Sequence, residues 1–142
     1  MNVVIIDAQG GGMGRQLVER LKQALPGQRL IAVGTNALAT AAMLRAGADQ
    51  GATGENAVIV CARQADLLLG PIGLVLCDAM LGEITAPMVE AVGRSPAHKI
   101  LVPVSRCQVT IAGAAKLTMA EAVDAAAREA VQRIQAAGAA NT

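Results

Sequence analysis

Apolar residues along the chain fall into short unbroken runs separated by stretches in which they recur every three or four positions. "NVVIID", residues 2–7, is β-branched and continuous, as in parallel strands covered on both faces, and predicts strand one. From Met13 the apolar positions Leu17, Val18, Leu21 and Leu25 follow helical spacing until Pro26-Gly27 stops the helix. "RLIAVG" predicts a second buried strand, Thr35 or Asn36 a cap for the next helix, and Gly47 that helix's C-terminal stop. Two strand-helix units in a row predict a parallel sheet.

The middle is ambiguous by pattern alone, and connection length decides it. If "VIVCA" were a strand, only "RQAD" would separate it from "LLLG", whereas a parallel crossover needs about a dozen residues. The reading is therefore a short strand near Asp49 to Thr53, a helix from Gly54 to Gln64, and a fourth strand in "ADLLLGP". "IGLVLCDAML" reads as a buried helical segment, and Thr85 with Pro87 restarts a helix toward Val92. "KILVPV" is strand five, and "CQVTIAG" adds a short edge strand. The last segment opens on a capping box, Thr118 to Glu121, and carries Ala122, Val123, Ala126, Ala130, Val131 and Ile134 on one face; its tail, "GAANT", is expected to fray. The predicted fold is α/β: a single three-layer domain over residues 1–142, with a mostly parallel five-stranded sheet in the order 3-2-1-4-5, a short sixth edge strand and a long C-terminal helix.

Composition narrows the function classes. With 142 residues the chain fits one domain with a real core, since roughly 100–200 residues per domain is usual. The longest apolar run, Leu67 to Cys77, is broken by Gly70 and Pro71 and falls short of the roughly 20 residues that cross a bilayer, so no membrane association is expected. "MNVVIID" has no basic segment ahead of its apolar one, which predicts no secretion signal and a cytoplasmic location. Twelve Lys and Arg against eleven Asp and Glu give a net charge of +1, with the basic residues scattered singly. That distribution, and the absence of any Phe, Tyr or Trp for stacking bases, argue against nucleic acid as a partner. Cys61, Cys77 and Cys107 are widely spaced and accompanied by one histidine, which predicts reduced, mostly buried thiols and neither a disulfide framework nor a zinc site.

Open parallel sheets bind ligands outside the carboxyl ends of their strands, at the point where strand order reverses. On the predicted order that crevice lies between strands one and four. It is lined by "DAQGGGMG" and by Gly70, Pro71 and Ile72, with Thr35-Asn36 and "SRC" flanking it. With Gly14 as the last glycine of a G-x-G-x-x-G fingerprint, Gln9, Gly11 and Gly14 take the three key places, and Gly10, Gly12 and Met13 the others. Gly11 would admit a pyrophosphate and Gly14 close helix-strand packing, while Gln9 replaces the first glycine and leaves the tight turn to Gly10 and Gly12. Helix amides pointing into such a loop make an anion site. A Walker A loop is disfavoured, because Gln9, Arg15 and Gln16 stand where Gly, Lys and Ser or Thr belong.

No carboxylate follows strand two, where an acid usually takes the adenosine ribose. Thr35 and Asn36 either hydrogen-bond a ribose or 2′-phosphate, or cap the second helix. Asp7 either accepts glycine-loop amides or meets a ligand hydroxyl or a cation. Arg106 either clamps a phosphate or carboxylate or is solvated. Glu55, Asn56, Asp78, Glu83, Ser105 and Cys107 are the remaining polar groups placed to reach the crevice, and His98 reads as surface.

The segments "IDAQGGGMG", "GTNALATAAMLRAGADQGATGENAV", "ADLLLGPIG", "GEIT" and "KILVPVSRC" together resemble an uncharacterised bacterial family of short Rossmann-like proteins, a domain of unknown function. The resemblance spans nearly the whole chain and implies a stand-alone Rossmann-like domain of the NAD(P)-binding kind. It carries no substrate or catalytic residue with it. The expected function is a nucleotide- or dinucleotide-binding module, with NAD(P) or another nucleotide as cofactor and a sensing, regulatory or accessory role. The alternatives are a small NAD(P)-dependent or phosphosugar-type enzyme that completes its site across a homodimer, and a ligand-free partner-binding subunit. A homo-oligomer is plausible in all three.

Overall fold

A computed structural model describes residues 1–103 and 108–142. The described elements are β1 (Val3–Asp7), α1 (Gly12–Ala24), β2 (Leu30–Gly34), α2 (Ala37–Arg45), β3 (Gln50–Thr53), α3 (Glu55–Gln64), β4 (Leu67–Pro71), a 3-10 turn (Ile72–Val75), α4 (Ala86–Arg94), β5 (His98–Val102) and α5 (Met119–Ala140). The five strands form one parallel sheet in the order β3-β2-β1-β4-β5. This is the predicted topology, and the arrangement is Rossmann-like.

Every residue of β1 is buried, because alternate side chains feed opposite layers. Val3 and Ile5 pack with Leu30, Leu67 and Leu69 under Leu17 and Leu21 of α1, Met43 of α2, and Val123 and Ala130 of α5. Val4 and Ile6 pack with Val33 and Leu68 under Val58 of α3 and Met88 and Val92 of α4. The helix layer switches faces between α2 and α3. That switch returns the chain to the far side of β1, and it makes the β1/β4 boundary the point of strand reversal.

α5 opens with both bonds of the predicted capping box. The Glu121 amide donates to Thr118 Oγ1 at 3.2 Å and the Thr118 amide donates to Glu121 Oε1 at 3.1 Å. Arg20 of α1 pairs with Asp124 of α5. The helix continues to Ala140, so most of the expected frayed tail is ordered helix.

Three other expectations need correcting. "IGLVLCDAML" is not a helix: after the 3-10 turn it becomes an irregular loop in which Asp78, Met80 and Leu81 take positive φ angles of 65°, 58° and 58°. Residues 108–113 form a bend and a turn, with no sixth strand; Cys107 of that segment lies outside the described residues. Cys77, expected to be buried, is exposed on the same irregular loop, while Cys61 is half-buried. No helix among the described residues is long and apolar enough to cross a membrane.

Candidate functional site

The carboxyl ends of β1 and β2, the loop of residues 8–11 and the loop leaving β4 converge at the strand-reversal point. Asp7, the last residue of β1, is 4% exposed and faces the start of α1. Its Oδ1 accepts the Ala8 amide at 2.8 Å and its Oδ2 the Gly14 amide at 2.7 Å. It therefore closes the glycine loop from below, as an internal cap. Burial, the largest influence, raises the Asp7 pKa; the Gly14 and Ala8 amides oppose that rise, and the charge of Glu83 adds to it.

The glycines do different work. Gly11 has φ +75°, and a Cβ there would lie 2.7 Å from the backbone of Ala39 in α2. Gly14 brings α1 against β1, where a Cβ would meet Asp7 Cβ at 2.9 Å and Met43 Sδ at 2.5 Å. Both are required by the fold itself. Gly10 and Gly12 are exposed, take no left-handed angle, and have open space where a Cβ would stand. Neither backbone conformation nor packing asks for glycine at these two positions. The tight turn is made by Gln9 and Gly11: Gln9, standing where the fingerprint has its first glycine, itself adopts φ 51°. Gly10 and Gly12 do not absorb it. Among the described residues, no backbone acceptor reaches the amides of Gly10, Gly12 or Met13, whereas Gly11 donates to Ala8 O and Arg15 to Gly11 O.

At the end of β2, Asn36 caps α2, its Oδ1 accepting the Ala39 amide at 3.0 Å. Its Nδ2 donates to Gln9 O at 2.9 Å. Thr35 does not cap; its amide donates to Asp7 O, continuing the β1 ladder. The organising group here is Glu83, carried in by the loop after β4. One oxygen, Oε1, accepts three hydrogen bonds: from the Thr35 hydroxyl at 2.7 Å, from Asn36 Nδ2 at 2.8 Å and from the Gln9 amide at 3.0 Å. Burial alone would raise its pKa, but the Thr35, Gln9 and Asn36 donors outweigh it and hold the carboxyl below the ordinary glutamate value. In the sequence Glu83 was one polar candidate among several. The partners that give it a role lie 48 and 74 residues away, and no local spacing links them.

Gly70 and Pro71 are the buried last residues of β4, paired with Leu101 and Val102 of β5, and Ile72 begins the 3-10 turn. A Cβ on Gly70 would strike Leu74 and Ile6 O, so this glycine serves close packing. Glu55, at the first turn of α3, accepts the Thr85 hydroxyl at 2.5 Å and so ties α3 to the start of α4. Asp78 and Asn56 are exposed, and His98 is exposed as the first residue of β5. Ser105, Arg106 and Cys107 lie outside the described residues. A separate groove of about 340 Å³ between α3 and α4 is lined by Ile59, Arg63, Glu90 and Arg94, and none of the predicted site residues reaches it. The described residues include no group of three or more His, Cys, Asp or Glu placed to hold a metal ion.

Comparison with known families adds one result, a match over residues 2–135 to the family described as Domain of unknown function (DUF3842). The chain belongs to that family. Searches of curated proteins and of solved structures gave no match. Within this DUF3842 chain, the matched span takes in the glycine loop, Thr35, Asn36 and Glu83.

Proposed function

We propose that this DUF3842 chain is a nucleotide-binding module with a sensing, regulatory or accessory role. Its phosphates lie over the loop of residues 9–13 at the start of α1. NAD(P) is the leading candidate among the nucleotides. The observation that carries this reading is the pair Gly10 and Gly12, exposed glycines that the fold does not need, set beside uncommitted amides at a helix N-terminus. A side chain at either place would fill the space through which a phosphate reaches those amides. The helix dipole favours the anion, and both Asp7 oxygens are turned to loop amides, each accepting one.

The non-catalytic part of the reading rests on how the ionisable groups are used. Asp7 holds the glycine loop, Glu83 joins that loop to the end of β2, and Glu55 fastens Thr85. Each of these carboxylates accepts at least one hydrogen bond from within the protein.

The absence of Phe, Tyr and Trp supplies the test. The bare protein is nearly transparent in the near ultraviolet, so a co-purifying purine or nicotinamide nucleotide stands out as an absorbance band. Acid extraction and chromatography then identify it. Protein that carries no band, and that no added nucleotide stabilises against heat, contradicts the proposal. Turnover of bound NADH or NADPH with small carbonyl acceptors would contradict the regulatory part alone.

A further inference from the structure

We propose that Glu83 is the ribose-recognising acid of this crevice, selecting nucleotides with a free 2′,3′-diol over those bearing a 2′-phosphate. The inference rests on the nucleotide reading above and names the chemistry its ligand must have. In dinucleotide-binding parallel sheets the adenosine ribose lies over the end of β2, where an acid from that strand's own loop accepts its hydroxyls. Here β2 ends in Gly34, and the next two residues are Thr35 and Asn36. The acid absent from that loop is supplied from the other side of the crevice. Glu83 Oε1 sits 2.7 Å from Thr35 Oγ1 and 2.8 Å from Asn36 Nδ2, at the end of β2.

The way the carboxylate is held fits that task. All three of its hydrogen bonds among the described residues converge on Oε1, so the group is fixed in place through one oxygen while Oε2 takes none of them. A fixed carboxylate oxygen is an acceptor for the O–H donors of vicinal hydroxyls. A 2′-phosphate brings negative charge to the same place. No Lys or Arg among the described residues pairs with Glu83 to offset the repulsion, and the loop from Ile72 to Thr85 carries Asp78 and Glu83 but no basic residue. The Gln9 amide ties the same carboxylate to the phosphate-binding loop, so ribose and phosphate subsites are joined through one side chain.

Matched pairs differing in the 2′-phosphate provide the test: NAD⁺ against NADP⁺, and AMP against adenosine 2′,5′-bisphosphate, titrated calorimetrically into wild-type protein and E83Q. Wild type is expected to bind the unphosphorylated member at least about tenfold more tightly, as expected for losing a hydrogen bond to a charged group. In E83Q, which keeps an acceptor for the Thr35, Asn36 and Gln9 donors, that preference should shrink to about threefold or less, mainly through weaker binding of the diol. The wild-type ratio is read without any mutation, so it stands even if E83Q folds poorly. Binding with equal affinity within each pair, or an unchanged ratio in a folded E83Q, overturns the assignment while leaving the nucleotide reading intact. A uniform rise in affinity for all four ligands in E83Q also overturns it, because Glu83 would then be an internal occupant that ligands displace. Failure of all four to bind wild type overturns the assignment together with the NAD(P) form of the nucleotide reading.

Discussion

Gly11 and Gly12 are neighbours with opposite reasons for being glycine. Valine at Gly11 would be forced into left-handed backbone against Ala39, which should cost at least about 2 kcal/mol from strain and overpacking together. Valine at Gly12 enters open space at the first turn of α1 and should leave stability within about 0.5 kcal/mol, yet abolish nucleotide binding. Urea denaturation and ligand titration of the two variants separate the roles. If G12V binds as well as wild type, the phosphate is not where we place it. Gln9, held at φ 51°, gives a third outcome: Gln9→Gly should be neutral or stabilising by up to about 1 kcal/mol, since glycine adopts that backbone without steric penalty. Glu83 fixes a pH dependence. Its pKa is lower in the folded chain than the ordinary value of about 4.3, so the stability it contributes is complete above that pH and is lost as pH falls through the lowered value. Asp7, with a raised pKa, works in the opposite sense, contributing below the ordinary aspartate value and losing that contribution as pH rises through its own. The gap in melting temperature between wild type and E83Q should therefore hold steady from neutral pH to about pH 5 and close in stronger acid. A gap that persists in acid would contradict the ionised state assigned to Glu83.

At the scale of elements, those with a strong period or a cap were readable and the irregular ones were not. α5 declared itself through Thr118 and Glu121, and Thr118→Ala should cost about 1 kcal/mol in equilibrium unfolding, the usual worth of an N-cap. α3 was readable because a parallel crossover has a minimum length, an argument from geometry that its apolar content could not supply. In the segment after β4 the apolar content predicts a buried helix, and the structure departs from it. Only Leu74 and Ile84 of its apolar side chains are fully buried, and Leu81 is 99% exposed. What shapes this loop is backbone closure, the Asp78 amide to Ile84 O at 2.7 Å and the Ile84 amide to Ala79 O at 3.2 Å, which carries Glu83 to the end of β2. Such closure leaves no periodic trace. Because Leu81 holds a left-handed φ of 58° with its side chain in solvent, Leu81→Asn should raise stability by up to about 1 kcal/mol, read as a higher denaturation midpoint; a loss would mean the side chain packs against something.

For the whole molecule, the order of strands and the location of the crevice were legible, because continuous apolar strands alternating with helices admit few topologies. The chemistry inside the crevice was legible in part. The glycine loop and Asp7 lie in one short stretch, so their proximity was visible along the chain. Glu83 meets Thr35 and Gln9 only because the sheet order places the β4 loop beside the ends of β1 and β2. The ribose-binding role proposed for Glu83 depends on that tertiary meeting. Nucleotide binding in this crevice is read out by a thermal-shift panel of mono- and dinucleotides on wild-type protein and G12V in parallel. Binding to the native state adds RT ln(1 + [L]/Kd), about 2.7 kcal/mol at a hundredfold excess over Kd. At least one nucleotide should raise the wild-type melting temperature by several degrees and leave G12V unmoved. Wild-type protein that no nucleotide stabilises, or a shift that G12V shares in full, would contradict it.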